Sequence, residues 1–343
     1  MATIKDVAKR AGVSVATVSR VLNKKGPLSD DAIARVKAAV AELRYSPNLL
    51  ARSLASGRSS TLGVILPSFK TPIWSEMAQM IENCAKELGY RVIFSVESAN
   101  SENRFQAVEY LKNLQVGGII FCGSMWGDQM LQEQLKQVQD LPLALLLDQV
   151  EGLSCIVSDD AQGGVLAARH LIEKGCRNLV HVSADLSIYK HSDERSYSFE
   201  KECEKNGVSY RRYENHSSMP QIEETEQLIG RILEEFPETD GLFLKNDILA
   251  MECAMNLLSR GKKVPEDVKV IGYDDMFFSG AVYPPLTTIR HNYQMLAMTA
   301  IHIILEQIEG KNVPNLTVVP VELVERRSTG NLFGRMIDGA GAF

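Results

Sequence analysis

The sequence TIKDVAKRAGVSVATVSRVL, residues 3–22, has the periodicity of two short amphipathic helices. Thr3, followed three residues later by Asp6, is a capping pattern for the first helix. Gly12 can adopt the positive φ that ends this helix, and Ser14 can cap the next one. The apolar face of the first helix is formed by Ile4, Val7, Ala8 and Ala11. The stretch therefore predicts two helices that meet across a tight glycine turn.

The second helix has an apolar face of Val18, Val21 and Leu22, and it turns small or hydroxyl-bearing side chains and one arginine outward. The outward set is Val15, Ala16, Thr17, Ser19 and Arg20. Such a set suits the major groove of DNA, because methyl groups contact thymine and arginine donates to guanine. A helical hairpin that only packs has the same spacing, so the spacing alone leaves both interpretations open.

A third helix is predicted from Ser29, which can cap it, with Asp30 and Asp31 in the first turn. Its apolar stripe, which closes a three-helix core, is Ile33, Val36, Val40 and Leu43. Basic side chains flank this helix where they can reach phosphates: Lys24, Lys25, Arg35 and Lys37.

The sequence IKDVAKRAGVSVATVSRVLN closely resembles the DNA-binding signature of the LacI/GalR family of bacterial transcription regulators. The resemblance continues through YSPNLLARSLASGRSSTLGVILP, KND at residues 245–247, VIGYDD at 270–275 and PPLTTI at 284–289. It covers nearly the whole chain, which is identified as a member of the family. The resemblance implies a homodimer that binds double-stranded operator DNA and a small-molecule effector.

DNA contacts are implied in the head and in a short hinge that follows Pro47. The head residues are Thr3, Ser14, Val15, Ala16, Thr17, Ser19, Arg20 and Asn23, and the hinge residues are Asn48, Ala51, Arg52 and Leu54. The resemblance makes Leu54 the side chain that wedges into the minor groove. A helix over residues 48–56 would be marginal alone in water, so a disordered tether is expected in the free protein.

Charge is divided unevenly along the chain. Residues 1–60 carry eleven Lys/Arg against four Asp/Glu, a net charge of +7, whereas the whole chain has a net charge of −6. A basic head can neutralise phosphates while the acidic remainder stays away from the duplex. A basic face that is merely solvated is the alternative interpretation.

The composition excludes several classes of protein. The chain of 343 residues is long enough for two or three domains. The sequence shows no apolar run that could span a membrane and no secretory signal, so we expect a cytoplasmic protein without membrane association. The six cysteines are scattered, and neither cysteines nor histidines occur at metal-ligand spacing; reduced thiols, no metal and no cofactor are expected.

Beyond Thr61 the sequence predicts an α/β body. Apolar runs alternate with amphipathic helical stretches at residues 62–67, 90–96, 116–121, 142–147, 179–182, 241–244 and 268–273. Such runs predict parallel strands covered on both faces. The predicted fold class is thus α/β, with an N-terminal three-helix helix-turn-helix head and hinge helix. The body would contain two doubly wound parallel-sheet subdomains, and the resemblance makes it periplasmic-binding-protein-like.

The predicted domain limits follow from these patterns together with the resemblance. Residues 1–46 would form the DNA-binding domain and residues 47–59 the hinge or linker. The N-terminal effector-binding subdomain would comprise residues 60–160 and 290–322, and the C-terminal one residues 161–289 and 323–330. The glycine-rich residues 331–343 would be an irregular tail.

Polar and aromatic side chains follow the predicted strands, where ligands bind to open parallel sheets. Carboxylates and amides can bind sugar hydroxyls, and an aromatic face can stack on a sugar ring. The candidate effector-binding residues, several of them placed by the resemblance, are Ser68, Phe69, Trp74, Asp148, Arg195, Asn246 and Asp274. Trp74 could instead lie in the core and Arg195 on an exposed helix. Asp247 and Asp275, which also follow predicted strands, could be helix caps.

Two positions depart from the family pattern. Ser198 stands where a glycine commonly follows the arginine, and Lys245 stands where a small residue often precedes Asn-Asp. Lys245 would either be turned away from the cleft or bind an anionic effector such as a sugar phosphate.

The sequence shows no Walker motif, no nucleophile elbow and no histidine pair at metal spacing, so we expect no enzyme. The predicted function is a sequence-specific repressor of carbohydrate-utilisation genes that is controlled allosterically by a sugar or sugar derivative, with induction favoured over corepression. One alternative is a cytoplasmic sugar-binding or sugar-modifying protein with a non-regulatory head. Another is a regulator whose signal is a partner protein.

Overall fold

The computed structural model describes residues 2–23, 28–45, 59–96, 101–123, 141–184, 192–215 and 222–330. It divides into two compact units, residues 1–59 and 60–343. The predicted hinge contacts and the tail lie outside the described residues, as do Lys24 and Lys25. No helix of the described ranges is long and apolar enough to cross a membrane.

The first unit is the predicted three-helix head, with α1 at Ile4–Ala11, α2 at Val15–Asn23 and α3 at Asp30–Glu42. Thr3 and Asp6 form a reciprocal capping box, in which the Asp6 carboxylate accepts from the Thr3 amide at 2.8 Å. Gly12 ends α1 with φ of 64°. The buried side chains that join the three helices are Val7, Ala8, Ala11, Val18, Val36 and Ala39. The predicted head is therefore confirmed.

The second unit begins with a six-stranded parallel sheet, which we call the first sheet, in the order β11-β5-β4-β3-β1-β2. Its strands are β1 (Thr61–Leu66), β2 (Arg91–Val96), β3 (Ile119–Cys122), β4 (Leu143–Leu146), β5 (Ser154–Ser158) and β11 (Leu316–Val319). Helices α4 (Pro72–Glu87) and α10 (Tyr293–Ile308) cover one face, and α5 (Ser101–Asn113) covers the other.

The second sheet has the order β12-β10-β9-β8-β6-β7, and it is parallel except for β12, which pairs antiparallel with β10. Its strands are β6 (Asn178–Ala184), β7 (Ser209–Asn215), β8 (Gly241–Leu244), β9 (Lys269–Asp274), β10 (Thr287–His291) and β12 (Val321–Val324). Helices α6 (Asp160–Glu173) and α7 (Ser192–Lys205) pack on one face. Helices α8 (Ile222–Glu235) and α9 (Asp247–Ser259) pack on the other, and a 3-10 turn at Arg327–Thr329 follows β12.

All seven predicted apolar runs contain strands of these sheets, which confirms the doubly wound α/β body. The apolar runs do not include β5, β7, β10, β11 or β12. These strands are short or, as in β7 (SYRRYEN), rich in exposed polar residues. The pairing that forms them comes from distant segments, which local periodicity does not report.

The chain passes between the two sheets at three places. It leaves the first sheet after Ser158, returns to it after His291, and leaves it again at Pro320, between β11 and β12. Ser158 pairs with Val319 and His291 pairs with Val321, so all three crossings meet at one point.

Candidate effector site and DNA-binding head

The outward face of α2 carries the predicted base-reading side chains. Val15, Ala16 and Arg20 are exposed, and Thr17 and Ser19 are half-buried. The Ser14 hydroxyl accepts from the Thr17 amide at 3.1 Å and thereby caps the helix. Asn23 is the last residue of α2, and its side chain is outside the description. The head thus presents a helix of small side chains and one arginine, a suitable surface for the major groove.

Two basic residues of the head are engaged within the head itself. Arg10 forms an ion pair with Glu42 at 2.7 Å. Arg35 donates to the carbonyl oxygen of Ala11 at 3.3 Å and forms an ion pair with Asp31 at 3.0 Å. The guanidinium of Arg35 therefore joins α3 to the end of α1, whereas Lys37 is exposed and remains the simpler candidate for a phosphate contact.

Three predicted effector residues lie together after β1. The Ser68 hydroxyl accepts from the Lys70 amide at 2.9 Å. The half-exposed ring of Phe69 makes an edge contact with Phe94, with 6.2 Å between the ring centres. Trp74 is half-buried on α4 and packs against the core of the first sheet. A side chain at Gly123, at the end of β3, would approach the Trp74 ring to 3.0 Å. Trp74 therefore has core contacts and also borders the carboxyl end of the first sheet.

Asp148 and Asp274 follow strands of different sheets. Asp148 is buried just after β4, and its carboxylate accepts from the Gln149 amide at 2.7 Å. Asp274 is the buried last residue of β9, with φ of 101°, a value that L-residues rarely adopt. Its carboxylate accepts from His291 Nε2 at 3.1 Å. Both carboxylates thus lie at the carboxyl ends of the strands, the side of each sheet where ligands are expected.

Arg195 is a largely buried cation rather than an exposed helix residue. Its guanidinium contacts Asp160 at 2.7 Å, donates to the carbonyl oxygen of Lys245 at 2.9 Å, and lies 3.3 Å from the centre of the Tyr273 ring. The Tyr273 hydroxyl donates to the same Asp160 oxygen at 2.8 Å. Burial alone would lower the pKa of Arg195, but the Asp160 carboxylate outweighs it and raises that pKa, so the guanidinium stays charged.

Ser198 explains how the chain tolerates the missing glycine on α7. Its hydroxyl donates to the Arg195 carbonyl at 3.1 Å, and both groups lie directly over Gly164 of α6. A Cβ atom at Gly164 would overlap the Arg195 carbonyl oxygen and the Ser198 hydroxyl. The space between the two helices is therefore provided by a glycine on α6 instead of one on α7.

Lys245 is turned toward the protein. Its ammonium group donates to the carbonyl oxygen of Asn215, at the end of β7, at 3.0 Å. Asn246 caps α9, because its side-chain oxygen accepts from the Leu249 amide at 2.9 Å. This cap uses the carbonyl oxygen of the Asn246 amide and does not involve its NH2 group.

The interpretation of Asp247 as a helix cap is wrong, because Asn246 holds that position. Asp247 is fully buried and accepts from the Met276 amide at 2.8 Å and from the hydroxyls of Ser279 and Thr288, each at 2.5 Å. Burial, with the nearby Asp274, raises the pKa of Asp247 to about 7. Asp275 is not a cap either, since its carboxylate pairs with Arg290 and Arg326, each at 2.6 Å.

One hydrogen bond joins helix α4, which packs on the first sheet, directly to the loop after β9. The Phe277 amide donates to the Glu76 carboxylate of α4 at 2.9 Å. Burial raises the pKa of Glu76, and the neighbouring carboxylates of Asp275 and Asp274 act in the same direction. This contact brings the region near Trp74 to the loop that follows Asp274.

The predicted residues thus form two groups and one separate position. Ser68, Phe69 and Trp74 follow β1, Arg195, Asn246 and Asp274 lie on α7 and at the ends of β8 and β9, and Asp148 follows β4. Asp160, Tyr273, His291 and Glu76 contact or lie near the predicted site residues but were not among them. The adjacent pair Asp159-Asp160 and the motif VIGYDD were visible signals for two of them.

A helix-turn-helix head joined to a doubly wound two-sheet body defines a DNA-binding regulator with a ligand-binding type of body. Residues 3–48 match the family model for bacterial regulatory proteins of the lacI family, and residues 168–329 match a periplasmic binding protein-like domain. The chain belongs to the LacI family of bacterial regulatory proteins.

Individual relatives cover almost the whole chain. It is 31% identical to the ribose operon repressor of Halalkalibacterium halodurans over 331 residues, which are 96% of this chain and 97% of the relative. It is 32% identical to the ribose operon repressor of Bacillus subtilis over 332 residues, 96% of this chain and 99% of the relative. The HTH-type transcriptional repressor PurR of Yersinia pestis is 31% identical over 335 residues, 96% of this chain and 98% of the relative.

Solved structures agree with this assignment. The crystal structure of the Lac repressor dimer bound to operator and the anti-inducer ONPF matches with a TM-score of 0.83 and 28% identity. That match covers 96% of this chain and 99% of the other. The complex of the regulator CelR with cellobiose, at 22% identity and a TM-score of 0.69, covers 96% of this chain and 100% of the other and supports the fold alone.

Proposed function

We propose that this protein represses carbohydrate-utilisation genes and that a neutral sugar, bound between the two subdomains, releases it from its operator. The observation that carries the proposal is that both cations near the second sheet, Arg195 and Lys245, already have partners within the protein. Asp160 pairs with Arg195, and Lys245 donates to a backbone carbonyl. The predicted ligand-facing carboxylates, Asp148 and Asp274, are acceptors for sugar hydroxyls.

An anionic effector fits this arrangement poorly. A phosphate would have to displace Asp160 from Arg195, which is already held by an ion pair, a carbonyl and an aromatic face. It would also approach the buried carboxylate of Asp274. A neutral polyol avoids both costs, since burying an unpaired charge is far costlier than burying a hydrogen-bonded hydroxyl.

The relatives support the remaining parts of the proposal. Two are ribose operon repressors, and the Lac repressor structure is a dimer on operator DNA. We infer a homodimer that presents two heads to a near-palindromic operator, with paired hinges in the minor groove between them. We also infer a non-catalytic protein that acts in the cytoplasm, where the operator DNA is found.

The effector proposal is tested with the full chain by thermal shift and calorimetry against D-ribose, D-xylose, cellobiose, ribose 5-phosphate, gluconate and free purine bases. A neutral sugar should raise the melting temperature, because a ligand at about 100 times its Kd stabilises the folded state by about 2.7 kcal/mol. Stronger stabilisation by ribose 5-phosphate or gluconate would overturn the proposal. Stronger stabilisation by a purine base would assign the protein to the purine-responsive regulators, as its similarity to PurR allows.

A variant makes the charge argument specific. Asp160→Asn removes the negative charge that pairs with Arg195 while preserving the volume of the side chain. We expect the ratio of sugar-phosphate affinity to neutral-sugar affinity to rise about tenfold or more. Tyr273→Phe is the matched control, because it removes the other hydrogen bond to Asp160 but leaves the charge balance unchanged. An unchanged ratio in Asp160→Asn would show that Asp160 does not determine the charge preference.

The DNA-binding part is tested by selecting duplexes from a random library with the full chain. Exchanging Val15 and Ala16 together should change which sequence is selected, because both side chains face outward on α2. Lys37→Ala should instead weaken binding uniformly across sequences and reduce the salt slope by about 1. Selection of the same sequence by the double variant would remove these two side chains from base recognition.

A further inference from the structure

The three chain crossings of the body meet at a buried pair of polar side chains. Ser158 ends β5 in the first sheet, and His291 ends β10 in the second. The Ser158 hydroxyl lies 2.6 Å from Nδ1 of His291, and both residues are buried. Each also pairs through its strand with a residue beside Pro320, the third crossing. Any change in the angle between the subdomains must therefore act on this pair.

The hydrogen bonds of His291 have a defined direction. Nε2 lies 3.1 Å from a carboxylate oxygen of Asp274, and an ionised carboxylate can only accept. Nε2 therefore carries the proton, and in the neutral ring Nδ1 accepts from the Ser158 hydroxyl. The rings of Tyr273 and Tyr293 contact the imidazole edge-on, at 5.2 Å and 5.7 Å, and limit its rotation. The result is a chain of bonds from Ser158 through His291 to Asp274.

Asp274 is held in an uncommon backbone conformation by the same crossing segment. Its φ is 101° and that of Asp275 is 54°, two consecutive positive values in residues other than glycine. The Tyr293 hydroxyl donates to the Asp274 carbonyl at 2.9 Å, while His291 holds the carboxylate. Such conformations persist where the surroundings determine them, and they concentrate at ligand sites and switches.

We propose that His291 is a positioning residue that fixes the Asp274 carboxylate for the effector and links it to the crossing point at Ser158. Effector hydroxyls that compete for this carboxylate alter its hydrogen bond with His291. The altered bond changes the contact of His291 with Ser158 at the crossing point between the two sheets. The effector part of this inference rests on the proposed function. The link between Asp274 and the crossing point at Ser158 does not depend on the proposed function.

The link is tested without ligand by NMR of the full chain. Nitrogen spectra of labelled histidines should show the Nε2–H tautomer for His291. Asp274→Asn should shift the methyl signals of Val319, which pairs with Ser158. When the same Asp274→Asn substitution is made in a His291→Leu protein, the shift should be at least threefold smaller. His291→Gln, whose amide can both accept from Ser158 and donate to residue 274, should retain it. An Nδ1–H tautomer, or an equal shift in His291→Leu, would overturn the link.

The positioning role is tested by calorimetry with D-ribose as the probe. We expect His291→Leu to weaken ribose binding at least tenfold and His291→Gln to remain within threefold of the original chain. His170→Leu is the matched control, since His170 is equally buried and hydrogen-bonded, but to Thr329. Equal losses in the two leucine variants, or no rescue by glutamine, would overturn the positioning role. If the original chain binds no ribose, the ribose assignment fails, and the NMR result decides the link by itself.

Discussion

The two sheets of the body have related architectures but bury different kinds of side chain. In the first subdomain, aliphatic and aromatic groups surround the sheet. Among its described residues, Asp148 is the one buried side chain of the Asp, Glu and His types. The second subdomain buries His170, His181, Glu202, Asp247, Glu252 and Asp274, and His291 lies at its border. The first sheet is therefore stabilised mainly by apolar burial, and the second depends also on a satisfied polar network.

This difference matters because buried polar groups stabilise a fold only when they are paired. His181 donates from Nδ1 to the Phe243 carbonyl and accepts at Nε2 from Ser196, each at 3.0 Å. Asp247 accepts three hydrogen bonds from the loop and strand that follow β9. Changes of pH should therefore act on the second subdomain, whereas loss of apolar volume should act strongly on the first.

The largest effect is expected from Phe121→Ala in β3. Phe121 is completely buried in the core between the first sheet and α5. Its truncation removes apolar burial and leaves a cavity, a loss of about 3–5 kcal/mol in the free energy of unfolding. Urea unfolding of the full chain measures it, and the loss should be the same at pH 5 and pH 7. A loss that changes strongly with pH would contradict the apolar character of this core.

Gly164→Ala in α6 should cost about 1–3 kcal/mol or more, because the added methyl group overlaps the Arg195 carbonyl and the Ser198 hydroxyl. Gly230→Ala in α8 is the matched control: the nearest atom to its added Cβ is Arg260 Nη2, at 3.4 Å. Removing a helical glycine there should stabilise by about 0.5–1 kcal/mol. Urea midpoints of the two variants should therefore move in opposite directions, and a stable Gly164→Ala would refute the close packing of α6 and α7.

His181→Gln should change how the free energy of unfolding depends on pH under acidic conditions. Burial lowers the pKa of His181 from 6.5 to about 3, so the unfolded chain binds more protons between these values. This residue therefore makes the free energy of unfolding fall as pH decreases below 6.5, by at most about 1.4 kcal/mol per pH unit. Glutamine retains both hydrogen bonds and removes the titration, so the slope of the free energy of unfolding against pH should become less positive in this range. Exposed His302→Gln is the control and should leave the slope unchanged.

Asp247→Asn should give a smaller effect of the opposite sign. Burial and Asp274 raise the pKa of Asp247 from 3.8 to about 7, while its hydrogen bonds partly offset the rise. The folded chain then binds more protons, so this residue makes the free energy of unfolding fall as pH increases from about 4 to 7. Across this range the slope of the urea midpoint against pH should be more positive in Asp247→Asn than in Asp267→Asn, because the falling contribution of Asp247 is removed. Equal slopes in the two variants would show that Asp247 does not titrate there.

The limits of prediction are visible at neighbouring residues. The strand β8 was predicted from its apolar letters, but the roles of the next residues were exchanged: Asn246 caps α9, and Asp247 enters the buried network. Both types of side chain can cap a helix, so local sequence does not distinguish them. The distinguishing contacts come from Ser279 and Thr288, more than thirty residues away.

The head, the alternation of strands and helices, and the family were predictable from the amino-acid sequence alone, because these depend on local periodicity, caps and contiguous motifs. The sequence also indicated Arg195 and Asp274 as site residues. The pairing of Asp160 with Arg195, the contact of Lys245 with Asn215, and the bonds from His291 to Asp274 and Ser158 are visible only in the folded chain. These contacts join segments distant in the chain, and their existence depends on the packing of the two sheets rather than on any local pattern.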